Sequence, residues 1–281
     1  MIPPRRRWWR RRRLRIGGVL VVLACGVYLH GQYVPPILMY HRIDDQSATS
    51  GLSVSPDSFA RQMAFLYRHG HRVVPLRTIT DWIVNDKLPE RGAVAITFDD
   101  GFESVYTQAY PVLRQHGLPA TVFIVTNWVG TPGYLSWKQI RELAASGLFE
   151  IGSHSRTHPW LPAVDEQQLN EEITGSRRIL EAQLPGIHVM HFSYPMGAYD
   201  ATVKHNVREA AYESACATNP GRYRSWRDRY ALKRLRISRS SDNLLVFWIE
   251  TSGYYTWIKE HRGKHLLRPR PLETAPSGQE A

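Results

Sequence analysis

The stretch Ala93-Val94-Ala95-Ile96-Thr97-Phe98-Asp99-Asp100-Gly101 decides how this chain folds. Six uncharged residues read as a buried strand. It ends in two adjacent carboxylates and a glycine able to make a sharp turn. Two neighbouring acids at the C-terminal end of a strand either hold a cation or repel each other. Asp-Gly is also ordinary turn chemistry, and Asp100 is equally able to cap a following helix.

Working outward, short apolar runs recur at Ile37–Tyr40, Arg72–Val74, Thr121–Val125, Glu150–Gly152, His191–Ser193, Ser214–Thr218 and Leu235–Ile237. Helices with recognisable starts lie between them. Ser55-Pro56 opens one to about His69, with Ser as cap and Pro in the first turn. Ser104 opens another that Gly117 stops after His116, and Ser136 a third that ends near Gly147. Asp165 begins a longer helix with Leu169, Ile173, Leu180 and Leu184 on one stripe, and Asp200 a last one to Ala211. Strand followed by helix, repeated, requires parallel strands joined by crossover helices. Seven or eight such units in roughly 230 residues fit a (β/α) barrel of about seven parallel strands better than an open doubly wound sheet. The expectation is an α/β single catalytic domain over residues 35–265, followed by a Pro-containing flexible tail over 266–281.

The 281 residues carry 36 Lys and Arg against 25 Asp and Glu, a net +11 that invites a polyanion as partner. Its location argues otherwise. Eight arginines lie within residues 1–15, where there is no acid, leaving 28 bases against 25 acids elsewhere. An uncharged run, Ile16 to Leu29, follows directly. A basic n-region before an apolar segment is the pattern of an export signal or an uncleaved membrane anchor over residues 16–34, with the arginines on the cytoplasmic side. The remainder would then lie on the extracytoplasmic side, periplasmic or cell-surface, and no nucleic acid is expected as a partner. Cys25 and Cys216 supply no disulfide framework.

Glu150-Ile151-Gly152-Ser153-His154-Ser155-Arg156-Thr157-His158-Pro159 follows another strand with two histidines four apart, a spacing that lets both reach one ion. In a parallel barrel all strand C-termini share one rim, so this pair and the aspartate pair meet there. Two imidazoles and one carboxylate make a three-ligand set with open positions, and the other carboxylate is left to act as a base. His41, just after Ile37–Tyr40, and the turn Tyr194-Pro195-Met196-Gly197 end on the same rim.

Thr97-Phe98-Asp99-Asp100-Gly101 together with His154-Ser155-Arg156-Thr157-His158 resembles the first two motifs of the polysaccharide deacetylases, carbohydrate esterase family four. The resemblance covers roughly residues 35–240. It implies a distorted (β/α) barrel that removes acetyl groups from glycans with a divalent metal, zinc first, with nickel, cobalt or iron as alternatives. By position, Asp99 matches the family's general base, Asp100 its metal-binding aspartate, and His154 and His158 its metal-binding histidines. The family's Arg-x-Pro-aromatic-Gly motif has Ser193 in place of Arg and Met196 in place of the aromatic, and the C-terminal Leu-x-His motif is absent. Leu38-Met39-Tyr40-His41 at the N-terminus instead resembles the circularly permuted branch that includes the poly-N-acetylglucosamine deacetylases. That branch functions without the motif arginine, and its N-terminal Tyr-His supplies the general acid, which here is His41. The resemblance further implies that the Met196 backbone N–H faces the oxyanion. Trp128, Trp160, Tyr194, Pro195 and Arg234 are candidate substrate contacts. The expected partner is an N-acetylated polysaccharide, most of all a poly-N-acetylglucosamine-type polymer. Peptidoglycan, chitooligosaccharide and a non-catalytic glycan-binding role are the alternatives.

Overall fold

The computed structural model describes residues 33–45, 51–218 and 227–255, together with Gly26 and Tyr28. The basic stretch, most of the apolar segment and the 266–281 tail lie outside the described residues. Among the described residues, no helix is long and apolar enough to cross a membrane.

The described residues form eleven strands: β1 (Ile37–Tyr40), β2 (Arg42–Ile43), β3 (Ser53–Val54), β4 (Arg72–Val73), β5 (Ala93–Phe98), β6 (Ala120–Ile124), β7 (Phe149–Ser153), β8 (His191–Ser193), β9 (Ser214–Ala217), β10 (Leu232–Lys233) and β11 (Leu235–Arg236). The main sheet runs β10-β9-β8-β7-β6-β5-β1-β11, with β4 also paired to β5. Every pairing in it is parallel. Its two terminal strands are consecutive in sequence, with only Arg234 between them. One extended segment therefore pairs with β9 through Leu232 and Lys233 and with β1 through Leu235 and Arg236. This brings the sheet nearly to closure as a barrel, and Arg234 sits at the seam.

Helices cover the outside, all but the last lying between strands in sequence: α1 (Pro56–Arg68), α2 (Leu76–Val84), α3 (Tyr110–His116), α4 (Trp137–Ala145), α5 (Glu166–Asn170), α6 (Ser176–Gln183), α7 (Ala201–Glu209) and α8 (Leu244–Thr251). The side chains of Ser55, Ser136, Asp165 and Asp200 each accept a backbone N–H at a helix start, as their sequence positions imply. Ser104 does not. Its hydroxyl accepts from the Ile43 N–H at 3.0 Å, and a π-helical segment, Val105–Ala109, precedes α3. A second π segment, Glu171–Gly175, joins α5 to α6.

Strand alternation sorts the core into two layers. Val94, Ile96 and Phe98 of β5 pack outward in the large cluster with Leu38, Tyr40, Val122, Ile151 and Phe192. Ala93 and Ala95 turn inward and pack with Ile37, Phe123, Cys216 and Leu232. Gly152 of β7 makes room for that inner layer, because a Cβ there would lie 2.5 Å from the Phe123 ring. Two more steps along the inward row of β5 lead through Thr97 to Asp99. The residues at the top of the barrel are thus the continuation of its interior.

Candidate active site

Backbone register places the chemistry. Tyr40 pairs with Phe98, and the Asp99 N–H donates to the Tyr40 carbonyl at 3.0 Å, so His41 and Asp99 follow side by side. Asp100 adopts φ +70°, a left-handed conformation that turns its carboxylate back over the barrel mouth. His154 follows β7 directly, and its N–H donates to the Ile124 carbonyl at 2.8 Å.

The four predicted side chains converge. His154 Nε2 lies 3.4 Å from Asp100 Oδ1 and 3.9 Å from Asp99 Oδ2, and His158 Nε2 lies 3.6 Å from Asp100 Oδ1. One donor atom each from Asp100, His154 and His158 falls within 4.8 Å of the others, a set able to hold one divalent cation. The donor chemistry fits. His154 Nδ1 donates to the Ser193 carbonyl at 2.8 Å, which fixes the tautomer and leaves Nε2 bare toward the site. Asp99 is pointed away from that role and into a different partnership.

That partner is Arg234. Its guanidinium is fully buried and grips Asp99 with two bonds, Nη1 to Oδ1 and Nη2 to Oδ2, each 2.6 Å. It also donates to the Ser193 hydroxyl at 2.9 Å, and its cationic centre lies 5.4 Å from the centre of the Phe123 ring. Burial alone would push the Asp99 carboxyl up. The Arg234 charge, with His154 behind it, outweighs that and holds the group well below the usual carboxylate range. This corrects the expectation that Arg234 contacts substrate. Arg234 is only 4% exposed and sits beneath Asp99, so it does not meet substrate. The loss of the motif arginine also does not leave Asp99 without an arginine. Ser193, where the motif places Arg, is small enough to admit the guanidinium that β10 and β11 deliver from the seam.

The cavity above has a volume of about 220 Å³ and is lined by Asp99, Asp100, His41, His154, His158, Met196 and Arg236, with Met39, Leu52, Tyr194, Gly197 and Thr218. Among the described residues the buried Nδ1 of His41 has no hydrogen-bond partner. Burial lowers the His41 pKa from its ordinary value, with Asp99 and Asp100 pulling it the other way. Met196 bends at φ +53° with its side chain half-exposed at the cavity edge. The following Gly197 packs so closely on β9 that a Cβ would lie 2.7 Å from Thr218 Oγ1.

The remaining predicted contacts fall into two groups. Trp128 lies at the site, its ring 5.3 Å from that of His158, and Pro195 begins the turn that carries Met196. The Tyr194 side chain points into the fold rather than toward substrate. It is fully buried, stacked on Tyr199 at 4.6 Å, and its hydroxyl donates to the Tyr230 carbonyl. Trp160 is 53% exposed and does not line the cavity. Sequence reading missed Arg236, which lines the mouth and donates to the Gly51 carbonyl at 2.6 Å. Its signal was present: it stands two residues after Arg234, on the same side of an extended segment.

A buried aspartate with its own arginine, beside three donor atoms able to hold a cation at the mouth of a parallel barrel, is an arrangement suited to metal-assisted hydrolysis. Comparison with known proteins agrees. Residues 86–215 match the family model for polysaccharide deacetylase. YxkH of Bacillus subtilis, provisionally named a polysaccharide deacetylase, is 32% identical over 203 residues, covering 72% of this chain and 71% of its own. The poly-beta-1,6-N-acetyl-D-glucosamine N-deacetylase of Staphylococcus epidermidis is 26% identical over 247 residues, 80% and 82% of the two chains. The Streptococcus pyogenes deacetylase PplD, solved in complex with acetate, superimposes with a TM-score of 0.68 at 28% identity over 76% of this chain and 97% of its own. The chain belongs to the polysaccharide deacetylase family.

Proposed function

We propose that this chain is a metal-dependent N-deacetylase of an extracytoplasmic glycan, with a poly-N-acetylglucosamine-type polymer as substrate. The reading is carried by the placement of the Arg234-held Asp99 beside Asp100, His154 and His158, with His41 next to Asp99 on the neighbouring strand. The polymer is suggested by the likeness to the Staphylococcus epidermidis enzyme along most of both chains. The extracytoplasmic side is suggested by eight arginines preceding the uncharged run Ile16 to Leu29.

A divalent cation held by Asp100, His154 and His158 would polarise the acetamide carbonyl and make water a better nucleophile at neutral pH. The ionised Asp99 takes the proton from water as its oxygen bonds to the carbonyl carbon. Arg234 keeps both Asp99 oxygens in place during that transfer and is too buried to move with substrate. The Met196 N–H, on a bend fixed between Pro195 and Gly197, faces the charge that grows on the carbonyl oxygen. The C–N bond then breaks, and His41 gives a proton to the departing sugar nitrogen. His41 acts there in its protonated form, which its lowered pKa makes a stronger acid but a less populated one at neutral pH. The products are acetate and a glucosamine residue.

The test is acetate release by the purified protein from poly-β-1,6-N-acetylglucosamine, chitooligosaccharide and peptidoglycan fragments in parallel. The proposal expects the first to turn over fastest. Preference for either of the others would replace the substrate while keeping the chemistry, and release from none of them would remove the enzymatic reading.

A further inference from the structure

The loop that carries both metal-type histidines holds an unusual backbone. Ser155 has φ +66° and His158 φ +65°, two non-glycine residues in the left-handed region within four positions. Such residues are strained and persist only where their surroundings enforce them. Enforcement comes from Glu172, which is 3% exposed. Its Oε2 accepts the consecutive N–H groups of Arg156 and Thr157, both at 2.8 Å, and its Oε1 accepts the Thr157 hydroxyl at 2.6 Å. The loop backbone thus forms a small anion-binding nest, and the chain fills it with its own carboxylate. Inside the loop, Ser155 Oγ accepts the His158 N–H at 2.9 Å, passing the constraint on to the second histidine.

The helix side is arranged to match. Glu172 lies in the π segment Glu171–Gly175, where the extra residue per turn rotates the side chain off the regular helical track. Two hydroxyls donate to the Ile173 carbonyl in that segment, Ser176 Oγ at 2.9 Å and Tyr212 Oη at 3.0 Å. Neighbouring Glu171 makes only an exposed ion pair with Arg156 at 3.1 Å, which adds little.

We infer that Glu172 is the positioning residue that sets how His154 and His158 face each other, and through them the affinity of the site for a divalent cation. It touches neither substrate nor cation. This inference rests on the metal-dependent reading above, so its test measures metal binding directly, by zinc competition against a chromogenic chelator, on the full chain. Glu172→Ala should weaken zinc about ten- to a hundredfold, the size typical of lost support behind metal ligands. Glu172→Gln keeps an amide oxygen for the two N–H groups, and its amide can donate to Thr157, whose hydroxyl then accepts; it should stay within about threefold of the parent. Should Glu172→Ala fail to fold, Thr157→Val removes one of the three bonds and should weaken zinc about two- to tenfold. Parent-like zinc affinity in folded Glu172→Ala, or in Thr157→Val where that variant is the one read, overturns the inference. A parent protein that binds no zinc overturns the metal reading instead.

Discussion

Arg234 grips both oxygens of Asp99 from the one residue that interrupts the barrel's closing segment, 135 positions away in sequence. The seam of the fold and the orientation of Asp99 are therefore the same feature. A strand break that would otherwise weaken closure delivers a fully buried guanidinium to the top of the barrel interior.

Breaking that pair should cost more than forming it contributes, because a buried charge is left without a partner. Arg234→Ala is expected to lower unfolding stability by about 3–5 kcal/mol, measured by urea denaturation. Arg234→Lys keeps the charge but loses the two-pronged grip. It should fold, with kcat down by about ten- to a hundredfold.

Ser193 vacates the space that Arg234 uses, so the two positions should be coupled. Ser193→Arg in the parent crowds two guanidinium groups against one carboxylate and should destabilise the protein. Combined with Arg234→Ser, the same change should regain part of the lost stability and activity. A double-mutant cycle reads this as a favourable coupling of about 0.5–3 kcal/mol; additive effects would separate the two sites.

In the proposed mechanism His41 acts late and Asp99 early. His41→Gln should lower kcat by about a hundred- to ten-thousandfold with zinc content unchanged. An activated acetyl ester, whose leaving group needs no proton, should lose far less in steady-state assays.

Phe123 supports Arg234 from below, and Gly152 makes room for Phe123. Gly152→Ala should therefore be felt at the base, two layers away. We expect a loss of about 1–3 kcal/mol in thermal or chemical unfolding, together with a fall in kcat. Unchanged stability would show that the Phe123 ring can yield.

Local chemistry made much of this legible. Most strand positions and the caps at Ser55, Ser136, Asp165 and Asp200 follow from residues close in sequence, and the convergence of Asp100, His154 and His158 from the common rim that parallel strands share. What escaped depends on distant partners. Helix α2 begins after Pro75 with no capping side chain of its own; its first N–H is taken by Glu150 at 2.9 Å, 74 residues away. Arg234 reads from sequence as a substrate contact because nothing near it announces burial, and the π segment that aims Glu172 has no sequence mark. Tyr194 read as a sugar contact because its motif lies at the rim, while its ring turns inward to stack on Tyr199.

The most direct test of the account is acetate release from poly-β-1,6-N-acetylglucosamine by parent protein and Asp99→Asn, each chelated and then reloaded with zinc, with bound zinc measured alongside. The account predicts that chelation abolishes parent activity and zinc restores it, while Asp99→Asn binds zinc fully yet stays at least a hundredfold slower, the scale of a lost general base. Undiminished release by chelated parent, or near-parent turnover by zinc-loaded Asp99→Asn, would contradict it.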